Sequence, residues 1–240
     1  MPKKIHGREK TVGVIGGMGP EATVDFLRRL VAATPARDDN DHLHVLVDNN
    51  PKIPSRIAAL IDGKGEDPAP VLCAMAKGLE KQGADFLVIP CNTAHHYLPV
   101  IAKAVKIPLL DMVALSIAGL SALPQKPKRV GMLASPAVRM VGLYEKRLNE
   151  AGYDALFPSE RGEAGILDII RTVKTGRVEE SHLRNYAAIA NSLSENGAEA
   201  FLIACTELSV LGPPPGSSLP YIDALDILVR ATLAEAKALA

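Results

Sequence analysis

The sequence repeats itself once, and this repeat limits the folds that the chain can adopt. Three segments return in the same order at offsets of 118, 114 and 112 residues: VGVIG at 12–16 returns as VGMLA at 130–134, GADFLVIPC at 83–91 as GAEAFLIAC at 197–205, and IPLLD at 107–111 as LPYID at 219–223. Ordered anchors at a nearly constant offset indicate two homologous halves of about 110 residues each.

Short apolar runs alternate with stretches of helical periodicity. Residues 20–34 and 68–83 carry apolar side chains at helical spacing, and Gly83 is placed to end the second helix. Runs rich in Val, Ile and Leu without strict alternation are typical of parallel strands buried on both faces. These runs lie at 11–16, 42–48, 85–90, 107–111, 129–134, 200–204 and 219–223. The pattern predicts an α/β fold made of two parallel-sheet half-domains.

The repeat also predicts how the chain divides. We expect an N-terminal half at 1–113 that carries Cys91 and a C-terminal half at 114–240 that carries Cys205. The last helix, at about 224–240, would be free to pack back on the first half. Parallel sheets bind ligands outside the carboxyl ends of their strands, where both cysteines lie. Two halves related by a pseudo-twofold axis would therefore present one thiol from each side of a cleft.

Two equivalent acid/base groups on opposite faces of a ligand suit the inversion of a carbon centre. One face must lose a proton while the other face gains one, and a thiolate and a thiol can exchange these roles. The ordinary thiol pKa of about 8.5 is close enough to neutrality for local charges to prepare a thiolate. The third cysteine, Cys73, lies within a helical pattern and is predicted to be a core residue.

Composition excludes several classes of partner. The 27 basic and 27 acidic side chains cancel and are interspersed, so we expect neither a nucleic-acid nor a membrane surface. No apolar run approaches the roughly 18 residues of a membrane span, and the polar start MPKKIHGREKT lacks the apolar core of a secretion signal. We therefore expect a cytoplasmic protein. Three cysteines without a C-x-x-C pair predict neither a disulfide framework nor a zinc knuckle.

Two further motifs invite other ligands. GMGPEA at 17–22 formally fits a dinucleotide fingerprint, but Pro20 removes an amide donor and Glu21 adds a negative charge where a pyrophosphate would bind. We interpret it as a loop that approaches a small ligand, with Met18 as an apolar wall. His95 and His96 follow Cys91 closely, yet no further ligand stands at a recognisable spacing, so no metal site is predicted.

Four motifs in order, GGMGPEAT, NNPKIPSR, PCNTAHH and CTE, resemble the aspartate/glutamate racemase superfamily. They are most similar to its aspartate racemase branch, which is independent of pyridoxal phosphate. The resemblance runs from about Val12 to Asp223, and the D-S-G-x-G-G and G-C-T-H-Y-P motifs of glutamate racemases do not occur. One departure is Ala204, which stands where the family usually has Gly before the second cysteine.

The resemblance implies a set of site residues. The two cysteines would be the proton donors and acceptors, and the substrate carboxylates would be held by Arg56 and Lys174. Asn92, Thr93 and Ala94 would line the site beside the first cysteine. It also implies that no cofactor or metal is needed, and that the protein is a homodimer.

Thr206 and Glu207 follow the second cysteine, and two roles remain open for them. They would hydrogen-bond the cysteine loop or the ammonium group of the substrate, or they would cap the next helical turn.

The prediction for function is the interconversion of L- and D-aspartate, a reaction of D-amino acid metabolism. Two alternatives stay open. One is a broader racemase or isomerase of the same superfamily that acts on glutamate, hydantoins or maleate. The other is a non-catalytic amino acid binding protein built from two lobes.

Overall fold

Two parallel sheets form the framework of the protein in a computed structural model that describes residues 9–61 and 63–238. The polar start at 1–8 and the final residues 239–240, both included in the predictions above, lie outside the described residues. The strands in the described part are β1 (Val12–Gly16), β2 (Val45–Asn49), β3 (Phe86–Val88), β4 (Arg129–Ala134), β5 (Asp154–Leu156), β6 (Ala200–Ala204) and β7 (Tyr221–Asp223).

Helices connect the strands and cover the sheets. Short 3₁₀ turns lie at Asp39–Asp41 and Thr93–Tyr97. The α-helices in the described part are α1 (Pro20–Ala33), α2 (Arg56–Leu60), α3 (Ala69–Gln82), α4 (Leu98–Ala104), α5 (Met112–Leu120), α6 (Pro136–Met140), α7 (Glu145–Glu150), α8 (Glu160–Lys174), α9 (Glu180–Glu195), α10 (Thr206–Leu211) and α11 (Ala224–Lys237).

The strand order is β2-β1-β3 in the first sheet and β5-β4-β6-β7 in the second, and every pairing is parallel. The predicted α/β class with two parallel sheets is confirmed. One predicted strand is reduced: residues 107–111 contribute only an isolated bridge between Leu109 and Leu87. One strand, β5, was not predicted, because its sequence Asp-Ala-Leu does not lie in an apolar run.

The sequence repeat is also a repeat of hydrogen bonds. The Leu87 N–H donates to the Pro108 carbonyl at 2.8 Å, and the Phe201 N–H donates to the Pro220 carbonyl at 2.9 Å. Gly83 ends α3 in the left-handed region at φ +100°, as predicted for this position, and Gly197 has φ +93°. The two halves therefore share local geometry at their anchors. The pseudo-twofold axis between them stays a prediction.

The last helix of each half packs on the sheet of the other half. Helix α11 buries Leu225 and Leu228 against Val12 and Val14 of the first sheet. Helix α5 follows the first half in sequence, yet its Ile117 joins a core cluster with β4 and β6 of the second sheet. The boundary that we predicted between residues 113 and 114 falls inside α5, which packs on the second sheet. Each sheet is covered on one face by a helix that the other half provides.

The exchanged helix α11 should contribute strongly to stability. Leu228 is fully buried in the cluster that joins α11 to the first sheet. We expect Leu228→Ala to lower the free energy of unfolding by about 2–5 kcal/mol, because a cavity adds to the lost apolar burial. Urea unfolding measures this change.

A matched control is Val31→Ala on α1, since Val31 is 58% exposed. It should change the free energy of unfolding by less than about 0.5 kcal/mol. Equal effects of the two substitutions would contradict the role of α11 in the core.

Candidate active site

One cavity brings together both cysteines and side chains from both halves. Cys91 and Cys205 both line it, and each is buried with about 5% of its surface exposed (6% and 5%). Of the other predicted residues, the cavity is also lined by Met18, Arg56, Thr93, Lys174 and Glu207. The remaining predicted residues, Asn92, Ala94 and Thr206, are buried next to the cysteines but do not line the cavity.

Cys91 lies three residues beyond the end of β3, at the carboxyl edge of the first sheet. Burial raises the pKa of its thiol above the ordinary value, and Glu207 adds to that rise. The positive charges of Arg56 and Lys174 oppose it by favouring the thiolate. Cys91 is therefore a buried thiol that has cations as neighbours.

His95 holds the backbone of the first cysteine. Its Nδ1 donates to the Cys91 carbonyl at 2.9 Å, while its Nε2 accepts from the Met112 N–H at 3.1 Å. Burial lowers the pKa of His95, which favours the neutral ring that these two bonds require. Because both ring nitrogens are hydrogen-bonded to the backbone, His95 stabilises the loop that carries Cys91.

Within residues 9–61 and 63–238, no group of three or more His, Cys, Asp or Glu side chains is placed to hold a metal ion.

Cys205 follows β6 directly, and its thiol has a carboxylate neighbour. The Sγ donates to Glu207 Oε2 at 3.2 Å, and Glu207 Oε1 lies 3.5 Å from Lys174 Nζ. Burial and the charge of Glu207 raise the pKa of Cys205 well above its ordinary value. Of the two roles left open for Glu207, the structure shows the contact with the cysteine.

Several polar groups beside the cavity are buried without a hydrogen-bond partner among the described residues. They include Arg56 Nε, Asn92 Nδ2 and Thr206 Oγ1. The Tyr144 hydroxyl donates to Asn92 Oδ1 at 2.5 Å, which fixes the amide with its NH₂ group free. Because buried polar groups are nearly always paired, these atoms are candidates for contacts with a bound ligand.

The glycine loop after β1 packs closely against the backbone of Asn50. Gly17 has φ +91°, and a Cβ at this position would lie 2.3 Å from the Asn50 backbone. Thr23 Oγ1 accepts from the Gly17 N–H at 2.9 Å and donates to the Gly19 carbonyl at 3.1 Å. These contacts place Met18 on the wall of the cavity, as predicted for an apolar wall.

Four lining residues, Ser55, Ile57, Ser135 and Ile170, and the nearby Tyr144 were not predicted from the sequence. Ser135 lines the cavity at the end of β4, 118 residues after Gly17, so the repeat itself could have identified it. Ser55 lines it and caps α2 by accepting from the Ala58 N–H at 3.2 Å. Tyr144 carried no local signal, because its contact with Asn92 joins residues that are far apart in the chain.

Comparison with known proteins assigns the chain to a family. The family described as Asp/Glu/Hydantoin racemase matches residues 15–232. The chain belongs to this family. The predicted resemblance to the aspartate/glutamate racemase superfamily is confirmed.

Three relatives illustrate the range of the family. The solved aspartate racemase of Picrophilus torridus is 30% identical, with 95% of this chain and 94% of that chain covered and a TM-score of 0.84. The broad specificity amino-acid racemase RacX of Bacillus subtilis is 26% identical over 92% of this chain and 96% of its own length. A glutamate racemase from Francisella tularensis in complex with D-glutamate shares the fold at 15% identity, with 94% and 80% covered and a TM-score of 0.65.

Ala204, the one departure from the usual motif, is accommodated in the core of the second half. It pairs with Ala134 at the end of β6, and both methyl groups belong to the cluster that α5 covers.

In the part of the chain that the structure describes, no helix has the length and apolar character needed to cross a membrane.

The contact between Cys205 and Glu207 predicts a pH effect. We expect Glu207→Gln to lower the pKa of Cys205, because a neutral amide removes the negative charge that disfavours the thiolate. The rate of Cys205 alkylation by iodoacetamide as a function of pH, followed by peptide mass, measures the change. Its midpoint should move to lower pH, since only the thiolate reacts.

The matched control is Glu195→Gln, at an exposed position at the end of α9. This variant should keep the wild-type midpoint. A midpoint for Glu207→Gln that is unchanged or higher would contradict the assignment of Glu207 as the group that holds the proton on Cys205.

Proposed function

We propose that the protein is an amino acid racemase that interconverts L- and D-aspartate by transfer of the α-proton between Cys91 and Cys205, without a cofactor. The observation that carries this proposal is the meeting of both thiols in one cavity that is also lined by two cations, Arg56 and Lys174. Membership of the racemase family and the similarity to an aspartate racemase support it. A cytoplasmic homodimer remains part of the prediction.

The two cations support a dicarboxylate as substrate. Arg56 comes from the first half and Lys174 from the second, so they can hold carboxylates at different places. The unpartnered Nε of Arg56 is available for one of these contacts. A cation at the α-carboxylate also stabilises the negative charge that develops when the α-proton leaves.

The proton inventory follows from the charges around the two thiols. Burial raises the pKa of both thiols, but at Cys91 the cations Arg56 and Lys174 oppose the rise, so we assign the thiolate of the starting form to Cys91 and the proton to Cys205 beside Glu207. Cys91 takes the α-proton, and the electron pair of the C–H bond passes into the α-carboxylate. Cys205 then delivers its proton to the opposite face of the carbon. The product leaves a thiol at Cys91 and a thiolate at Cys205, and the reverse reaction restores the starting form.

Proton exchange in deuterated water tests the proposed function. L-Aspartate incubated with the pure protein, without added pyridoxal phosphate or metal, should lose its α-proton signal and its optical rotation together. L-Glutamate and L-alanine serve as comparisons: alanine should react least, because it lacks the second carboxylate. The double variant Cys91→Ala/Cys205→Ala controls for contaminating racemases. Binding of aspartate without α-proton exchange would instead support the amino acid binding protein.

Replacing a single cysteine should affect the two enantiomers of the substrate differently. Each enantiomer presents its α-hydrogen to one thiol only, so Cys91→Ala and Cys205→Ala should each reduce racemisation by at least about 10²-fold. Any residual exchange of the α-hydrogen should concern opposite enantiomers in the two variants. Chiral chromatography and proton NMR measure both quantities.

Cys73→Ala is the matched control. Cys73 is a partly buried residue of α3 that packs against the core of the first half and does not line the cavity. This variant should therefore racemise aspartate at the wild-type rate. Substantial racemisation by either folded active-site variant would contradict the two-thiol mechanism.

A further inference from the structure

Arginine–aspartate ion pairs join the halves: Arg29 pairs with Asp223 and Asp226, and Arg147 pairs with Asp111. The sequence repeat relates the Arg29–Asp223 pair to the Arg147–Asp111 pair. Arg29 on α1 donates to Asp223 Oδ2 at 2.8 Å. Arg147 on α7 binds both oxygens of Asp111, at 3.2 and 2.7 Å. The arginines are 118 residues apart and the aspartates 112, the offsets of the motifs around them. In each pair the arginine belongs to one half and the aspartate to the other, so the pairs cross.

Both aspartates begin the exchanged helices. Asp111 Oδ1 accepts from the Ala114 N–H at 3.0 Å at the start of α5, and Asp223 Oδ1 accepts from the Leu225 N–H at 2.9 Å at the start of α11. Helix α5 packs on the second sheet, and α11 packs on the first. Each arginine thus fixes the start of the helix that the opposite half contributes.

The Arg29 pair reaches the segment of the second cysteine. Ser209 Oγ donates to Asp223 Oδ1 at 2.6 Å, and the Ser209 N–H donates to the Cys205 carbonyl at 3.0 Å. Arg29 Nη2 also donates to the Ser209 carbonyl at 2.5 Å. A side chain of the first half is therefore connected through one residue, Ser209, to the backbone of the thiol in the second half.

The Arg147 pair reaches the segment of the first cysteine by an equivalent route. Asp111 is followed by Met112, whose N–H donates to His95 Nε2 at 3.1 Å. His95 Nδ1 in turn donates to the Cys91 carbonyl at 2.9 Å. His95 and Ser209 are 114 residues apart, the offset of the cysteines themselves. The two connections therefore occupy equivalent places in the repeat.

We propose that the crossed pairs Arg29–Asp223 and Arg147–Asp111 are positioning pairs that set the separation of Cys91 and Cys205 across the cavity. Inversion requires both sulfurs to reach opposite faces of one carbon at the same time. Charge-assisted contacts are short and directional, and the Arg147–Asp111 contact is also bidentate, so they can fix one half against the other with the precision that proton transfer needs. The kinetic test of this inference rests on the proposed function. A second test, the joining of the two thiols by one reagent, does not depend on activity.

The Arg147–Asp111 pair is the better one to vary, because its side chains are 39% and 27% exposed, against 16% and 3% for Arg29 and Asp223. We expect Arg147→Met to lower kcat for racemisation by about 10- to 100-fold, since small misplacements of reacting groups have effects of this size. KM should change less than kcat. Arg147→Lys, which keeps the charge but loses the bidentate contact, should fall between Arg147→Met and wild type. Arg29→Lys should likewise lower kcat.

1,3-Dibromoacetone provides the readout that does not depend on activity. Each thiolate displaces one bromide, so the reagent should join the two cavity thiols of the wild type through one three-carbon bridge per chain, as seen by intact mass and loss of both free thiols. Arg147→Met should bridge at a reduced rate, although each thiol still reacts singly. The matched control is Arg139→Met: Arg139 pairs with Glu163 within the second half at 2.8 Å and is 48% exposed. This variant should keep the wild-type kcat and rate of bridging.

The outcomes separate the two proposals. If the wild type racemises none of the amino acids, the proposed function fails, and the bridging reaction with 1,3-dibromoacetone still tests the positioning pairs. If folded Arg147→Met and Arg29→Lys keep the wild-type kcat and bridging rate, or lose only melting temperature, the pairs are structural and the inference is overturned. Wild-type thiols that 1,3-dibromoacetone alkylates singly but never bridges would also overturn it.

Discussion

The burial of each sheet by a helix from the other half is the constraint on which the site depends. The strands are apolar on both faces, so each sheet needs two covering layers. One face of the first sheet packs on α3, and its other face is covered by α1 and α11. The second sheet is covered by α8 and α9 on one face and by α5 and α7 on the other. Because α5 and α11 are exchanged, neither half completes its core alone, and the cavity between the halves has walls that are fixed by both cores.

Equivalent positions in the two halves carry different residues, and the differences give the thiols different electrostatic surroundings. Glu207 lies two residues after Cys205, and the repeat places Thr93 at the corresponding position after Cys91. Only the second thiol therefore has an adjacent carboxylate that holds its proton. The first thiol has instead the attraction of Arg56 and Lys174. Different residues at matching positions of the repeat thus give the two thiols different electrostatic surroundings.

Much of the fold and of the candidate site could be predicted from the sequence, because the signals are local. Apolar runs marked all the strands except β5, and the sequence motifs together with the family resemblance marked seven of the eleven residues that line the cavity. Contacts between distant segments had no such signal. The exchange of α5 could not be seen, since an apolar helix face does not specify which sheet it covers. Tyr144 and the partners of Arg147 were missed for the same reason.

The exchange of α11 has a consequence for biosynthesis. Domains of a growing chain generally fold as units, beginning with the one made first. Here the apolar face of the first sheet, with Val12 and Val14, is covered by residues 224–237. The first half therefore cannot bury this face until α11 has been made, and the face stays uncovered while the second half is being synthesised.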